Sequence, residues 1–264
     1  MNLTLRCLLP ILVLTSLILS HSCRRLTIVA IGALLLTSGM RGQSPVDSAL
    51  TRFLGTDPQT FVSDLERRRP AAVTQDLKAR ILGTLPAEGE VKKPKQSAQR
   101  KLVSLERVLR MQQRQSVYEI KVIAVPQAFV GLHARAVVLI SDTALDILDA
   151  EELQALVAHE IGHEYVWAQY EAAKGAKDYR RVQELELYCD GVAILTLGEA
   201  GVDPSRLLTG LEKLDRFNKQ HFGRALNEDY YTSIPERKRF GQAVMAWAAR
   251  ANPAKPVGPP ADHK

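Results

Sequence analysis

Two apolar runs open the chain, residues 7–20 (CLLPILVLTSLILS) and 26–40 (LTIVAIGALLLTSGM), with the polar stretch HSCRR between them. Each is shorter than the roughly 20 residues that a membrane-spanning helix needs. The second has the order of an export signal: Arg24 and Arg25, an apolar stretch, then the small residues Thr37, Ser38 and Gly39 near a cleavage point. Residues 1–42 are expected to be a signal peptide, with a retained membrane anchor as the alternative. Beyond them the pattern takes a helical period. Val46, Leu50, Phe53 and Leu54 share one helix face, and Leu102, Leu105, Val108 and Leu109 repeat that spacing in a longer basic helix. Residues 86–96 (PAEGEVKKPKQ) read as a loop, because Pro, Gly and like charges do not nucleate structure. Residues 43–115 are thus expected to form a helical N-terminal subdomain.

The pattern changes again after residue 116. Residues 117–125 (VYEIKVIAV) are rich in β-branched side chains and stop at Pro126, which predicts a strand; residues 135–140 (RAVVLI) predict a second. Asp149, Glu151 and Glu152 then load acid onto the start of a helix, where the backbone dipole is positive. That helix runs to about Tyr170. Another spans roughly Tyr179 to Leu197, and a third follows Asp203-Pro204, with Pro allowed in a first turn. Residues 251–264 form a Pro-rich, apolar-poor tail expected to be disordered. The fold class is α+β, mostly helical with a small β-sheet, and residues 116–250 carry the chemistry.

Composition adds two restrictions. A hydrophobic share of 46% with 24% charged residues is that of a globular protein rather than a disordered one. The net charge of +6 is uneven, because residues 41–125 hold 16 Lys/Arg against 9 Asp/Glu. Such a surface is an ordinary solvated one or a patch for an anionic partner. Cys7 and Cys23 lie in the N-terminal apolar region, which leaves Cys189 alone and excludes a disulfide framework in the remainder.

The candidate chemistry is His159-Glu160-Ile161-Gly162-His163. Two His four residues apart stand about 40° apart around a helix, so both imidazoles can reach one cation. Zinc takes neutral imidazole nitrogen, and a catalytic zinc keeps one position open for water. Glu160 is rotated about 100° from His159 and can reach that water without ligating the metal, as a general base. The rival is a charged surface helix, but Ala155, Leu156, Val157, Ala158 and Ile161 surround the motif. Further along, Glu186 and Asp190 are again four apart. Glu186 can complete a His₂Glu site, and Asp190 can accept the outer N–H of a ligand His. Alternatively, Glu184, Glu186 and Asp190 make a solvated acidic face.

In this order the residues resemble the zinc metallopeptidases of family M48, the HtpX-like, BepA-like and CAAX-prenyl-protease-like enzymes. The resemblance rests on HEIGH followed by ELYCD, on Gln127-Ala128-Phe129 and the segments AVVLISDTALDIL and DAEELQALVAHEIGH upstream, and on Asp203-Pro204 and Tyr231 to Arg237 (YTSIPER) downstream. It covers about residues 117–245 and implies a zincin-like catalytic domain with one zinc per chain on His159, His163 and Glu186, with Asp190 behind them. Gln127 stands where the family has Asn, and Tyr231 where many relatives have His. If that His stabilises the oxyanion, the Tyr231 hydroxyl can do the same; otherwise Tyr231 is an ordinary packed side chain. The expected function is a zinc metalloendopeptidase acting on exported or envelope proteins. The partners expected are a protein or peptide substrate and no nucleic acid, with membrane association through the N-terminus. The catalytic domain is expected outside the cytoplasm, periplasmic or secreted, or else held on a membrane. An extended substrate can pair with an edge strand, expected at residues 135–140. The rival readings are an inactive zincin-like binding domain of the envelope, and a basic module that holds anionic lipid or polymer through residues 67–114.

Overall fold

The computed structural model describes residues 43–85, 89–224 and 228–251. The apolar segment 1–42 lies outside them, as does the expected tail apart from Ala251. Ten helices are described, in the order α1 (Pro45–Leu54), α2 (Pro58–Arg67), α3 (Gln75–Thr84), α4 (Gln96–Ser104), α5 (Glu106–Met111), α6 (Asp142–Ile147), α7 (Ala150–Ala176), α8 (Tyr179–Ala200), α9 (Arg206–Phe222) and α10 (Ile234–Ala251). Between α5 and α6 lie the strands β1 (Glu119–Ile123), β2 (Val130–His133) and β3 (Val137–Ser141). The α+β class, mostly helical with a small sheet, is what the sequence predicts.

Local chemistry sets most of these boundaries. Ser44, Asp57 and Thr74 cap α1, α2 and α3 by accepting from backbone N–H groups, and Pro45 and Pro58 occupy first-turn positions. Asp149 and Glu152 form a reciprocal capping box at the start of α7. That helix continues past Tyr170 to Ala176, so it is about 40 Å long at 1.5 Å per residue. Only Lys177 and Asp178 separate it from α8, and Lys177 turns the chain in the left-handed region. The result is a helical hairpin, and it forms the centre of the molecule. The long basic helix expected around Leu102–Leu109 is two helices joined at Leu105, which keeps helical angles. α9 begins two residues after Pro204, with Ser205 at the N-cap position but making no side-chain cap.

Residues 43–115 have no core of their own. Phe53 of α1 packs with Phe61, Tyr188, Phe240 and Trp247, which joins α1 and α2 to α8 and α10 in one aromatic cluster. Gly191 of α8 lies directly under the Phe53 ring, where a Cβ would overlap it. Leu105 and Val108 are likewise buried in the core shared with α7 and α8. The described residues accordingly all belong to one compact unit.

The sheet corrects the expected edge. Its order is β1-β3-β2, with β1 parallel and β2 antiparallel to β3. Residues 135–140 therefore give the central strand, buried at Val137, Val138, Ile140 and Ser141, and not an edge. The edge beside α7 is β2, a four-residue strand containing Gly131 that has no clear period-two signature. Ser141 N–H donates to Phe129 O, so Phe129, Gly131 and His133 face β3 in the alternating antiparallel ladder. Val130 and Leu132 direct their backbone groups to the open side. The turn into β3 holds Ala134 and Arg135 at φ 48° and 58°, a conformation that disfavours a Cβ. Arg135 is tied down by a bond to Ala71 O at 2.6 Å and by the buried Glu164 at 3.7 Å. Glu164 also pairs with Arg114 at 2.7 Å.

Candidate active site

Gly162 allows the site to form. A Cβ at this position would stand 2.9 Å from Cys189 Cα and 3.1 Å from Cys189 O, closer than unbonded atoms pack. Without one, α7 and α8 approach closely, and His159 and His163 meet the acidic face of α8. Glu186 and Asp190 are each 1% exposed, so the solvated acidic face is ruled out for them. Glu184 is the exception, half-buried and paired with Arg180 and Arg181.

Three donor atoms converge. Glu186 Oε2 lies 3.1 Å from His159 Nε2 and 3.7 Å from His163 Nε2. Zinc bonds of about 2.0–2.2 Å at tetrahedral angles put neighbouring donor atoms about 3.4 Å apart. Glu186 Oε2 is buried with no hydrogen-bond partner among the described residues. An unpartnered buried carboxylate oxygen beside two imidazole nitrogens is costly unless a cation joins them. The residues fit the metal the motif implies. Glu160 also comes within 4.8 Å of the imidazole nitrogens. Its Oε2, however, accepts the N–H of Leu132 at 2.8 Å, so Glu186 and not Glu160 is the third ligand candidate.

The surrounding groups orient these three. His159 Nδ1 lies 2.9 Å from Asp190 Oδ1 and donates to it in the tautomer that leaves Nε2 free for a metal. Asp190 is held in turn by Arg237 of α10, whose Nε reaches Oδ2 at 2.8 Å. Arg237 Nη2 makes a second bond to Oδ1, so the guanidinium grips the carboxylate through two atoms. The Tyr170 hydroxyl donates to Glu186 Oε1 at 2.6 Å, and its ring packs on His163 at 4.7 Å.

Electrostatics separate the roles. Burial pushes the Glu160 carboxyl up to about 7, helped by the Glu186 charge and opposed by His159 and the Leu132 N–H. A base near neutrality suits proton transfer. Burial also opposes charge on His159, but the bond to Asp190 and the nearby Glu186 carboxylate outweigh that and raise it to about 10. Glu186 stays below the usual carboxylate range: burial opposes this, but His163, His159 and Arg237 prevail. Arg237 does the same for Asp190, against the effect of burial there.

Tyr231 is brought to this site. It follows a single 3-10 turn, Glu228–Tyr230, which Gln183 anchors through Asp229 O at 3.2 Å. The Glu186 charge, then burial, then Glu160 keep the Tyr231 phenol protonated far above neutrality, and Arg237 lies 5.1 Å from its ring. The phenol is thus a proton donor within electrostatic reach of both carboxylates. His133 is exposed at the end of β2, and His221 Nδ1 contacts Phe217 O at 2.9 Å in α9; neither joins the site. His263 lies outside the described residues. Cys189 is buried, and burial pushes its thiol up, so it packs between the helices and does not act as a nucleophile.

Sequence alone does not single out Tyr170, Arg237 or the backbone of Leu132. Tyr170 does carry a signal, because seven residues past His163 returns to nearly the same helix face. Arg237 stands in YTSIPER but with no sign of its partner, and Leu132 carries no signal, since their partners lie 47 and 28 residues away.

A helix-borne His-Glu-His set completed by a carboxylate from the next helix defines the metallopeptidase class. The model of peptidase family M48 matches residues 92–170, so this part of the chain is similar to that family of proteases. The match runs from the lead-in to α4 through the sheet and the HEIGH helix to Tyr170. Glu186, Asp190 and Tyr231 fall beyond it, so their assignment rests on the geometry above. No curated relative matches the chain.

Proposed function

We propose that this protein is a zinc-dependent metalloendopeptidase that cleaves peptide bonds in exported or envelope proteins. The observation that carries the reading is the Glu186 oxygen placed between two imidazole nitrogens, with no other partner, beside a carboxylate of raised pKa. His159, His163 and Glu186 would hold the metal. When bound, zinc polarises the scissile carbonyl and acidifies a water molecule.

The chain's own groups account for the rest of the reaction. Glu160 takes the proton of the attacking water and delivers it to the leaving amine. Asp190, held by Arg237, keeps His159 in the ligating tautomer. The Tyr231 hydroxyl donates to the oxygen on which negative charge develops. The open side of β2, with the N–H and C=O groups of Val130 and the C=O of Leu132, orients an extended substrate by strand addition. The catalytic domain is placed outside the cytoplasm on the pattern of residues 1–42. Among the described residues no helix is long and apolar enough to cross a membrane.

The test is metal content and peptidase activity of the purified protein. Wild type should carry about one zinc and cleave an unfolded protein substrate. His163→Ala should lose the metal. Glu160→Gln keeps an acceptor for the Leu132 N–H but no base, so it should retain zinc and lose a factor of about 10²–10⁴ in turnover. Equal zinc in wild type and His163→Ala, or wild-type turnover in Glu160→Gln, would overturn the reading.

A further inference from the structure

The basic character of the chain is concentrated on one surface. Residues 91–111 hold seven Lys/Arg and one Asp/Glu, a surplus equal to the net charge of +6 of the whole sequence. This stretch is the lead-in to α4 together with α4 and α5, which Leu105 joins in helical conformation. Its inner face is buried at Ala98, Leu105, Val108 and Leu109. Its outer face repeats at helical steps through Arg100, Val103, Arg107 and Arg110, all exposed.

Two features separate this face from an ordinary solvated helix. Val103 lies in the middle of the arginines and is 75% exposed, the most exposed large apolar side chain among the described residues; Met111 flanks it at 41%. In addition, several of the cations have no internal task. Lys101 bonds Leu145 O and Leu148 O, Arg107 bonds Ala200 O and Gly201 O, and Lys95 and Arg110 sit near Asp146 and Glu106. Lys92, Lys93 and Arg100 have no hydrogen-bond or ion-pair partner among the described residues. Arg100 also borders a recess of about 420 Å³ whose floor includes Ile147 and Leu148.

We propose that the outer face of α4 and α5 docks on an anionic lipid surface, with Lys92, Lys93 and Arg100 against phosphate headgroups and Val103 and Met111 inserted between them. Charge complementarity favours an anionic partner, and the apolar residues among the cations favour lipid over a soluble polymer, which offers them nothing apolar. Behind the face, Lys101 of α4 bonds Leu148 O just ahead of α7, and His159 lies nine residues into that helix, about 14 Å at 1.5 Å per residue. Docking would therefore hold the catalytic site close to the membrane without occupying it. The proposal does not depend on the peptidase reading, since none of these residues belongs to the site.

The test uses the full chain and vesicles of phosphatidylcholine, with or without phosphatidylglycerol. Segment 1–42 carries Arg6, Arg24, Arg25 and Arg41 and adds its own phosphatidylglycerol-dependent part, so the difference between the wild type and variants that share this segment isolates the face. Each basic residue near an anionic surface contributes about fivefold in partitioning, from roughly 1 kcal/mol per charge. Replacing Lys92, Lys93 and Arg100 together with Gln should therefore lower phosphatidylglycerol-dependent binding by about 100-fold, and high salt should abolish it in the wild type. Val103→Ser should weaken it several-fold even at low salt. Hydrolysis of a soluble peptide should be unchanged in both variants. Wild-type binding that ignores phosphatidylglycerol would overturn the proposal. So would a triple variant that binds as wild type does, or a wild type that binds polyglutamate but not the vesicles.

Discussion

Gly162→Ala tests whether the close helix crossing builds the site. The added Cβ would stand 2.9 Å from Cys189 Cα, 3.0 Å from Cys189 Cβ and 3.1 Å from Cys189 O. Unbonded carbons settle about 3.5–4.0 Å apart, so α7 and α8 must separate by about half an ångström or more. Overpacking of this kind costs about 1–3 kcal/mol. Ala is the better helix former by about 1 kcal/mol, which offsets part of it. The net expectation is a loss of about 1 kcal/mol, or about 2–4 °C in Tm for a protein of this size. Gly175 and Gly198 lie on the same two helices, and a methyl group added at either would have nothing within 4 Å. Alanine at either should raise Tm by a similar amount. The functional effect should exceed the thermal one, because the separation moves Glu186 away from His163, and a 1 Å misplacement in a site can cost about 10²-fold in rate. Thermal unfolding and zinc competition on Gly162→Ala and Gly175→Ala make the comparison. If Gly162→Ala gains stability as Gly175→Ala does and binds zinc as the wild type does, the crossing does not set the site.

Asp190→Asn keeps its shape but leaves Arg237 uncompensated in the interior, so zinc affinity should fall about 10–100-fold and stability by about 3–5 kcal/mol. Adding Arg237→Gln should recover stability but not zinc affinity; recovery of both would limit the pair to a structural role. Tyr231→Phe should retain zinc and KM and lose up to about 10²–10³-fold in kcat, and an unchanged kcat would make Tyr231 a packing residue only. A reporter fused after Lys264 should be active only in a form that folds beyond the membrane, and activity confined to the cytoplasm would contradict the expected export.

What the sequence reveals of the fold and site follows the range of the interactions involved. The i,i+4 pairs His159/His163 and Glu186/Asp190 are legible because helix geometry alone puts each pair on one face. The helices beneath them are legible too, from apolar periodicity and from caps such as Asp149. The edge strand is not. β2 has four residues, one of them Gly131, and its partner on the open side is the side chain of Glu160, not another strand. Nothing local in VGLH encodes that. Arg237 is visible in YTSIPER as part of a resemblance, but its grip on Asp190 depends on how α10 packs against α8. The split at Leu105 is hidden for the opposite reason: the periodicity of Leu102, Leu105, Val108 and Leu109 is continuous because the joint residue stays helical.

The burial of so many charges around His159 is itself an argument about function. Glu186, Asp190, Arg237 and both imidazoles lie in the interior, where each ion carries a desolvation penalty that hydrophobic residues of similar volume would avoid. Asp190 and Arg237 satisfy one another through two hydrogen bonds, as a purely structural pair would. Glu186 does not fit that account. One of its oxygens is held by Tyr170, and the other is left facing two nitrogens without a protein partner. A structural ion pair would set that oxygen against a fixed cation, whereas a metal ligand faces other groups able to bind the metal. Glu164 differs from Glu186 in its partners: its oxygens also lack hydrogen bonds, but they face the fixed cations Arg114 and Arg135, whereas Glu186 Oε2 faces two imidazoles. The two imidazoles that face the Glu186 oxygen, rather than its lack of a hydrogen bond, therefore distinguish a metal site from a buried charge cluster in this fold.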